Sequence, residues 1–369
     1  MRTDTLFSSY ALGALTLPNR IAMAPMTRCR AVNPACAPTP MMVEYYGLRA
    51  DAGLIISEGA PVSLQARGYA FTPGLYNAEQ IAGWRAVTDG VHRQGGRIFA
   101  QLWHCGRISH GSLRKDGAPP VGPSAIIAAN GMTMALDRAT GQAAFVPCEA
   151  PRALSTAEVK GVVDEFAQAA KNAIDAGFDG VEIHGANGYL LDQFLSSYLN
   201  DRRDEYGGTL ENRCRLHLDV ARAVTAAIGA GRTGIRLSPL GQASDMQPDP
   251  EPMATYGYLA EELQKLRLVY LHLYDQSTSW IHDPTNALLR LIRAKFTNAL
   301  MLCGGFDGAK AEAALAAGSG DLIAIGKPFI SNPDLVSRLR RGVDIAAWDN
   351  KTFYAGGHSG YLDYPAFSG

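Results

Sequence analysis

Charge is scarce and almost perfectly balanced in this chain: of 369 residues 19% are Asp, Glu, Lys or Arg, and the formal net charge is −1. Such a balance leaves no electrostatic footprint for nucleic acid or for an anionic membrane. Also missing is any apolar run of the roughly 18–20 residues that a membrane-spanning helix needs. The opening stretch, MRTDTLFSSYALGALTLPNR, has neither a basic head nor an unbroken apolar segment, so no secretion signal is read and a cytoplasmic location is expected. The six cysteines (Cys29, Cys36, Cys105, Cys148, Cys214, Cys303) are dispersed and lack CxxC spacing, which argues against zinc or iron–sulfur sites. They are expected to be reduced thiols, many of them buried. No internal repeat, heptad or low-complexity tract is present.

What the chain does have is apolar residues, 47% of the total, enough for a large core. Short β-rich runs recur and most are followed by a helical pattern, the mark of βα units around a parallel sheet. Eight candidates are residues 20–24, 53–58, 97–102, 180–184, 234–238, 268–274, 300–303 and 322–326. Runs such as LIIS and LIAI are apolar throughout, as strands covered on both faces should be. The expected fold is therefore α/β: one (β/α)8 TIM barrel spanning residues 1–369.

Helix ends are marked locally. Ser155 and Glu158 make a capping box; Val159, Val162, Val163, Phe166, Ala170 and Ile174 follow at helical spacing until Gly177. Near the end, Asn332 is expected to cap a helix starting at Pro333 and closed by Gly342. Residues 1–18 alternate weakly around Gly13 and predict a hairpin plugging the barrel bottom. From about 104 to 152 the chain is rich in Gly, Pro and Ala, which predicts a capping excursion over the mouth after strand three.

Polar residues gather at the expected strand ends, the face where such barrels place their active sites. Thr27 follows strand one, Gln101 ends strand three, His184 and Asn187 follow strand four, and Arg236 lies in strand five. Gly304 and Gly305 follow strand seven; Gly326 and Lys327 follow strand eight. Glycines let backbone N–H groups approach a phosphate, and a cation beside them balances its charge, so a phosphorylated ligand is expected there. In VEIHGANGYLLDQFL, His184 and Asn187 could grip one oxygen while Tyr189 handles a proton, as for a polarised carbonyl or nitro group.

NRIAMAPMTR, FAQLWHCGR, VEIHGANGYLLDQFLSSYLNDRRDEYGGTLENR, KPFISNPDL and TFYAGGHSGYLDYP together resemble the Old Yellow Enzyme family of FMN-dependent ene-reductases, over about residues 6–365. The resemblance implies FMN held without a covalent bond and reduced by NADPH or NADH, with hydride then passed to an activated alkene. Thr27 matches the residue that meets the flavin O4 and implies the threonine subgroup; Gln101 matches the ligand of the pyrimidine edge, and Arg236 the cation near N1 and O2. Pro25, Gly59, Gly304, Gly305, Gly326 and Lys327 complete the implied cofactor site. His184 and Asn187 match the pair that binds the substrate oxygen, and Tyr189 the acid that protonates the α-carbon. Tyr69, Trp103 and Tyr354 match aromatic residues lining the substrate pocket. His92, His110, His217, His272, His282 and His358 lack such context and are read as structural or exposed. A small-molecule alkene is the only implied partner; monomer and homodimer stay open, as does preference between NADPH and NADH.

Three positions depart from the family pattern: Lys327 replaces arginine beside the FMN phosphate, Phe71 stands where small residues are usual, and Cys105 replaces an aliphatic residue. The alternatives are a nitroester or nitroalkene reductase on the same scaffold and, from a different class, a barrel lyase or aldolase of a phosphorylated substrate using a lysine Schiff base, for which Lys327 is the lysine near the expected mouth. Larger relatives, such as a dienoyl-CoA reductase, carry an iron–sulfur cluster for which clustered cysteines are lacking.

Overall fold

Eight parallel strands close into a barrel in the computed structural model, which describes residues 5–137, 139–354 and 356–367. They are Ile21–Met23, Leu54–Pro61, Ile98–Trp103, Gly180–His184, Thr233–Leu237, Tyr270–Tyr274, Ala299–Cys303 and Leu322–Ile325, adjacent in chain order. Alternate side chains divide between two cores. Ala22, Leu54, Ile56, Phe99, Tyr270, Met301, Leu322 and Ala324 fill the lumen. Ile21, Ile55, Ile98, Ile183, Ile235 and Leu300 instead pack outward, in one core with Val87, Phe166, Val220, Leu259 and Ile292 of the surrounding helices. Both faces are covered, which is why these strands read as apolar runs rather than alternations.

Helical packing follows the expected pattern where local signals were strong. The capping box at Ser155 and Glu158 opens the helix Thr156–Asp175, which buries Val159, Val162 and Phe166. The hairpin Tyr10–Leu12 and Leu15–Leu17 closes the barrel bottom, with Leu12 and Leu17 joining the lumen core. Its turn needs Gly13: φ is +59°, and a Cβ there would lie 2.7 Å from the Gly231 carbonyl oxygen. Residues 1–4 of the expected hairpin stretch lie outside the described residues.

One expectation is corrected. Asn332 does not start a helix: its buried amide donates to the carbonyls of Pro328 and Ala346 and accepts from the Ala346 N–H. The helix runs Leu335–Arg341 and does end on Gly342, at φ +67°. The excursion after strand three has strands of its own. It carries an antiparallel pair, Met132–Leu136 with Ala143–Pro147, and a short parallel pair, Val121–Gly122 with Arg152–Ala153. An isolated bridge between Tyr69 and Met134 lays the antiparallel pair against the loop after strand two.

Candidate active site

Strand four delivers the chemistry at the mouth. His184 is its last residue and is buried; its Nδ1 accepts from the Ala186 N–H at 3.3 Å. The remaining proton of the neutral imidazole therefore sits on Nε2, making that atom a donor. Burial, then the nearby Arg236 and His272, hold the ring far below the usual histidine range, so it stays neutral.

The turn that follows is set by its neighbours. Asn187 adopts φ +59°, a conformation Asn tolerates better than most residues. Its N–H donates to Ser238 Oγ at 2.8 Å and its carbonyl accepts from Ser244 Oγ at 3.1 Å. Gly188 donates to the buried Asp192 carboxylate at 2.8 Å. Burial pushes Asp192 up to about 7, against the opposing pull of Gly188 and Ser238. An acid raised on folding stabilises the fold most below its unfolded value near 3.8, and that contribution is lost as pH rises through about 7. Replacing Asp192 by Asn should remove this dependence. The melting temperature of the variant, relative to the native chain, is expected to climb between pH 5.5 and 8; a constant difference would refute the assignment.

Around Trp103 the aromatic residues converge. Tyr69 stacks on it with centroids 5.5 Å apart, His184 lies parallel at 6.1 Å, and Tyr189 meets it edge-on at 4.9 Å. The Tyr69 and Tyr189 hydroxyls are hydrogen-bonded at 3.2 Å. Trp103 lies flat against strand two because residue 59 is glycine: a Cβ would fall 2.5 Å from the indole. Tyr354 is exposed and reaches this group through Phe145 of the excursion, whose ring is 5.3 Å from Tyr354 and 6.5 Å from Tyr69. Phe71, at φ +59°, packs together with Tyr69 against Cys29, Ala70, Leu113 and Met134.

Beside this cluster opens a cavity of about 570 Å³, lined among others by Pro25, Asn187, Arg236, Gly304, Gly305, Gly326 and Lys327. Seven expected site residues from five strand ends thus share one space. Thr27 lies in the same loop as Pro25, half-buried, and Gln101 ends up beside Glu182. Gly59 serves Trp103 rather than the cavity wall. Tyr274, Gln276, Thr278 and Trp348 also line the space and were not foreseen. The rule of polar residues at strand ends would have found Tyr274 and Gln276 after strand six; Trp348 comes from the C-terminal segment and carries no local signal.

These walls fit FMN. Arg236 Nε is buried with no partner among the described residues, and so is Asn187 Oδ1. Gly304 and Gly305 have φ +150° and +66°, and a Cβ on Gly304 would lie 2.8 Å from the Asp275 carbonyl oxygen. A bare backbone in one wall with Lys327 and Arg236 suits a molecule that carries a phosphate and a ring that gathers negative charge on reduction. A sequence profile of the NADH:flavin oxidoreductase / NADH oxidase family matches residues 5–345. The chain belongs to that family.

Its relatives agree. The chain is 41% identical to 12-oxophytodienoate reductase 7 of Oryza sativa subsp. japonica, covering 98% of this chain and 94% of the rice protein. It is 42% identical to a chanoclavine-I aldehyde reductase of Penicillium roqueforti, covering 98% and 96%. Among solved structures, morphinone reductase in complex with tetrahydroNAD superposes with a TM-score of 0.94 at 44% identity, covering 98% of each chain. An Old Yellow Enzyme homologue from Zymomonas mobilis gives 0.91 at 40%, covering 98% of this chain and 99% of that one. The protein is thus an FMN-dependent, nicotinamide-driven ene-reductase of the Old Yellow Enzyme family.

Proposed function

We propose that this enzyme reduces the C=C bond of α,β-unsaturated carbonyl compounds, with His184 and Asn187 gripping the carbonyl oxygen and Tyr189 donating the proton. The observation that carries this reading is the neutral His184, whose Nε2–H has no hydrogen-bond partner among the described residues, beside Asn187 and edge-on to Tyr189 at 5.1 Å. Bound FMN would supply the hydride, taken from NADPH or NADH. Two donors aimed at one oxygen polarise the alkene and stabilise the negative charge that develops on that oxygen. Burial raises the Tyr189 phenol above its ordinary value while the Tyr69 hydrogen bond pulls it down, so the proton is held until a carbanion claims it. Tyr69, Trp103 and Tyr354 would frame the substrate.

Cofactor roles follow the same reading. Thr27, whose hydroxyl makes no side-chain hydrogen bond among the described residues, would meet the flavin O4 and place the chain in the threonine subgroup. Gln101 would serve the pyrimidine edge and Arg236 the N1–O2 side, with Pro25, Gly304, Gly305, Gly326 and Lys327 around the phosphate arm. Lys327 is exposed at the start of the helix Lys327–Ser331, whereas a Schiff-base aldolase requires a buried lysine. As a compact point charge it also lacks the bidentate fork of arginine. Lys327→Arg should therefore tighten FMN binding several-fold, read as the dissociation constant on reconstitution; unchanged affinity would sink the idea. We place the enzyme in the cytoplasm, as one barrel domain acting as monomer or homodimer. Its six buried free cysteines favour a reducing compartment. No helix among the described residues is long and apolar enough to cross a membrane.

The test is the visible spectrum of the purified protein without oxygen, before and after NADPH and then 2-cyclohexenone. Flavin absorbance that bleaches with NADPH and returns with the enone is expected. Absorbance that stays bleached would reject simple enones.

A further inference from the structure

One buried carboxylate in the barrel has no part in the reaction described so far. Glu182 lies one layer below His184 on the inner face of strand four and is fully buried. Three side chains from two other strands donate to it. Gln101 Nε2 reaches Oε1 at 2.8 Å; Tyr270 Oη and His272 Nδ1 reach Oε2 at 3.0 and 2.8 Å. The strand register puts Glu182 opposite Gln101. Burial alone would raise this acid, but His272, Arg236 and Gln101 outweigh it and hold it below the usual value, so it is ionised.

An ionised carboxylate accepts hydrogen bonds and cannot donate them. Whichever face of the Gln101 amide meets Glu182 must therefore be the NH₂ group. The other end, Oε1, makes no side-chain hydrogen bond among the described residues and is not sealed into the core. We propose that Glu182 is a positioning residue: it locks the Gln101 amide so that its carbonyl oxygen faces the cofactor, ready to accept the single N–H of a flavin pyrimidine edge. Resting on the FMN reading above, this adds the group that decides which way Gln101 points. Glu182 also lies on the strand paired with that of Arg236 and feels its charge, so its fixed negative charge would work against a reduced, anionic ring held by Arg236.

Glu182→Gln tests this with little change of shape. A glutamine there can donate or accept, so the Gln101 amide is free to turn over. FMN affinity, measured by fluorescence quenching on reconstitution, is expected to fall about tenfold, the worth of one hydrogen bond at the upper end of its net range. The midpoint potential of the bound flavin should move to a more positive value, since a negative charge near the reduced ring is gone. Tyr270→Phe removes a different donor from the same carboxylate and keeps the Gln101 link; it should leave affinity within about twofold, well under the effect of one full hydrogen bond. Unchanged affinity and potential in Glu182→Gln, or an equal loss in Tyr270→Phe, would overturn the proposal. Should Glu182→Gln fail to fold, Gln101→Met with Glu182 intact must show the same tenfold loss, and full affinity there would overturn it too. If the native chain itself binds no FMN, it is the FMN reading that fails.

Discussion

Tyr189→Phe should leave reduction of the enzyme by NADPH untouched and slow its reoxidation by an enone by about 10²–10⁴-fold, the usual worth of a positioned general acid. Only a hydroxyl is removed. The ring keeps its edge-on contacts with Trp103 and His184, at 4.9 and 5.1 Å, so the pocket should hold its shape. The lost hydrogen bond to Tyr69 is one neutral pair, and its removal should change stability by about 1 kcal/mol at most. Stopped-flow separation of the two half-reactions is the measurement. Equal slowing of both would show that Tyr189 shapes the flavin environment rather than supplying a proton. In the native enzyme the phenol is raised by burial, so the oxidative half-reaction should show no titration of Tyr189 through the neutral range.

How much of this could be read in advance differs by kind of residue. Strands such as Leu54–Pro61 and Leu322–Ile325 announced themselves because burial on both faces leaves a continuous apolar run between turns. Residues at the strand ends were found because barrel geometry, not local sequence, brings them together; Arg236 and Lys327 share a cavity although 91 positions apart (327 − 236). Asn332 misled because its capping propensity lost to a long-range bond with Ala346. The excursion's strands were hidden by their Gly- and Pro-rich surroundings. Their partner is each other, and their placement on Tyr69 comes from tertiary contact. Glu182 passed unnoticed inside an apolar VEI run, since nothing local shows that three donors await it on two other strands.

Asn187 offers the other large effect, and its backbone decides how to measure it. At φ +59° an alanine would be strained by roughly 1 kcal/mol, mixing a stability loss with the chemical one. Asn187→Gly keeps the turn, in which the Asn187 N–H meets Ser238, and removes only the amide. Loss of one preorganised donor to a developing oxyanion is worth about 2.7–4 kcal/mol, or 10²–10³ in rate. The enone reoxidation rate should therefore fall by about that factor with the melting temperature nearly unchanged. Asn187→Ala should lose the same rate and melt lower. His184 would then hold the oxygen alone, and because burial and Arg236 keep it neutral, mild acid should not restore the rate by charging it. A glycine variant that retains full activity would mean that the substrate oxygen rests on His184 and some other donor, and that Asn187 is there for its turn.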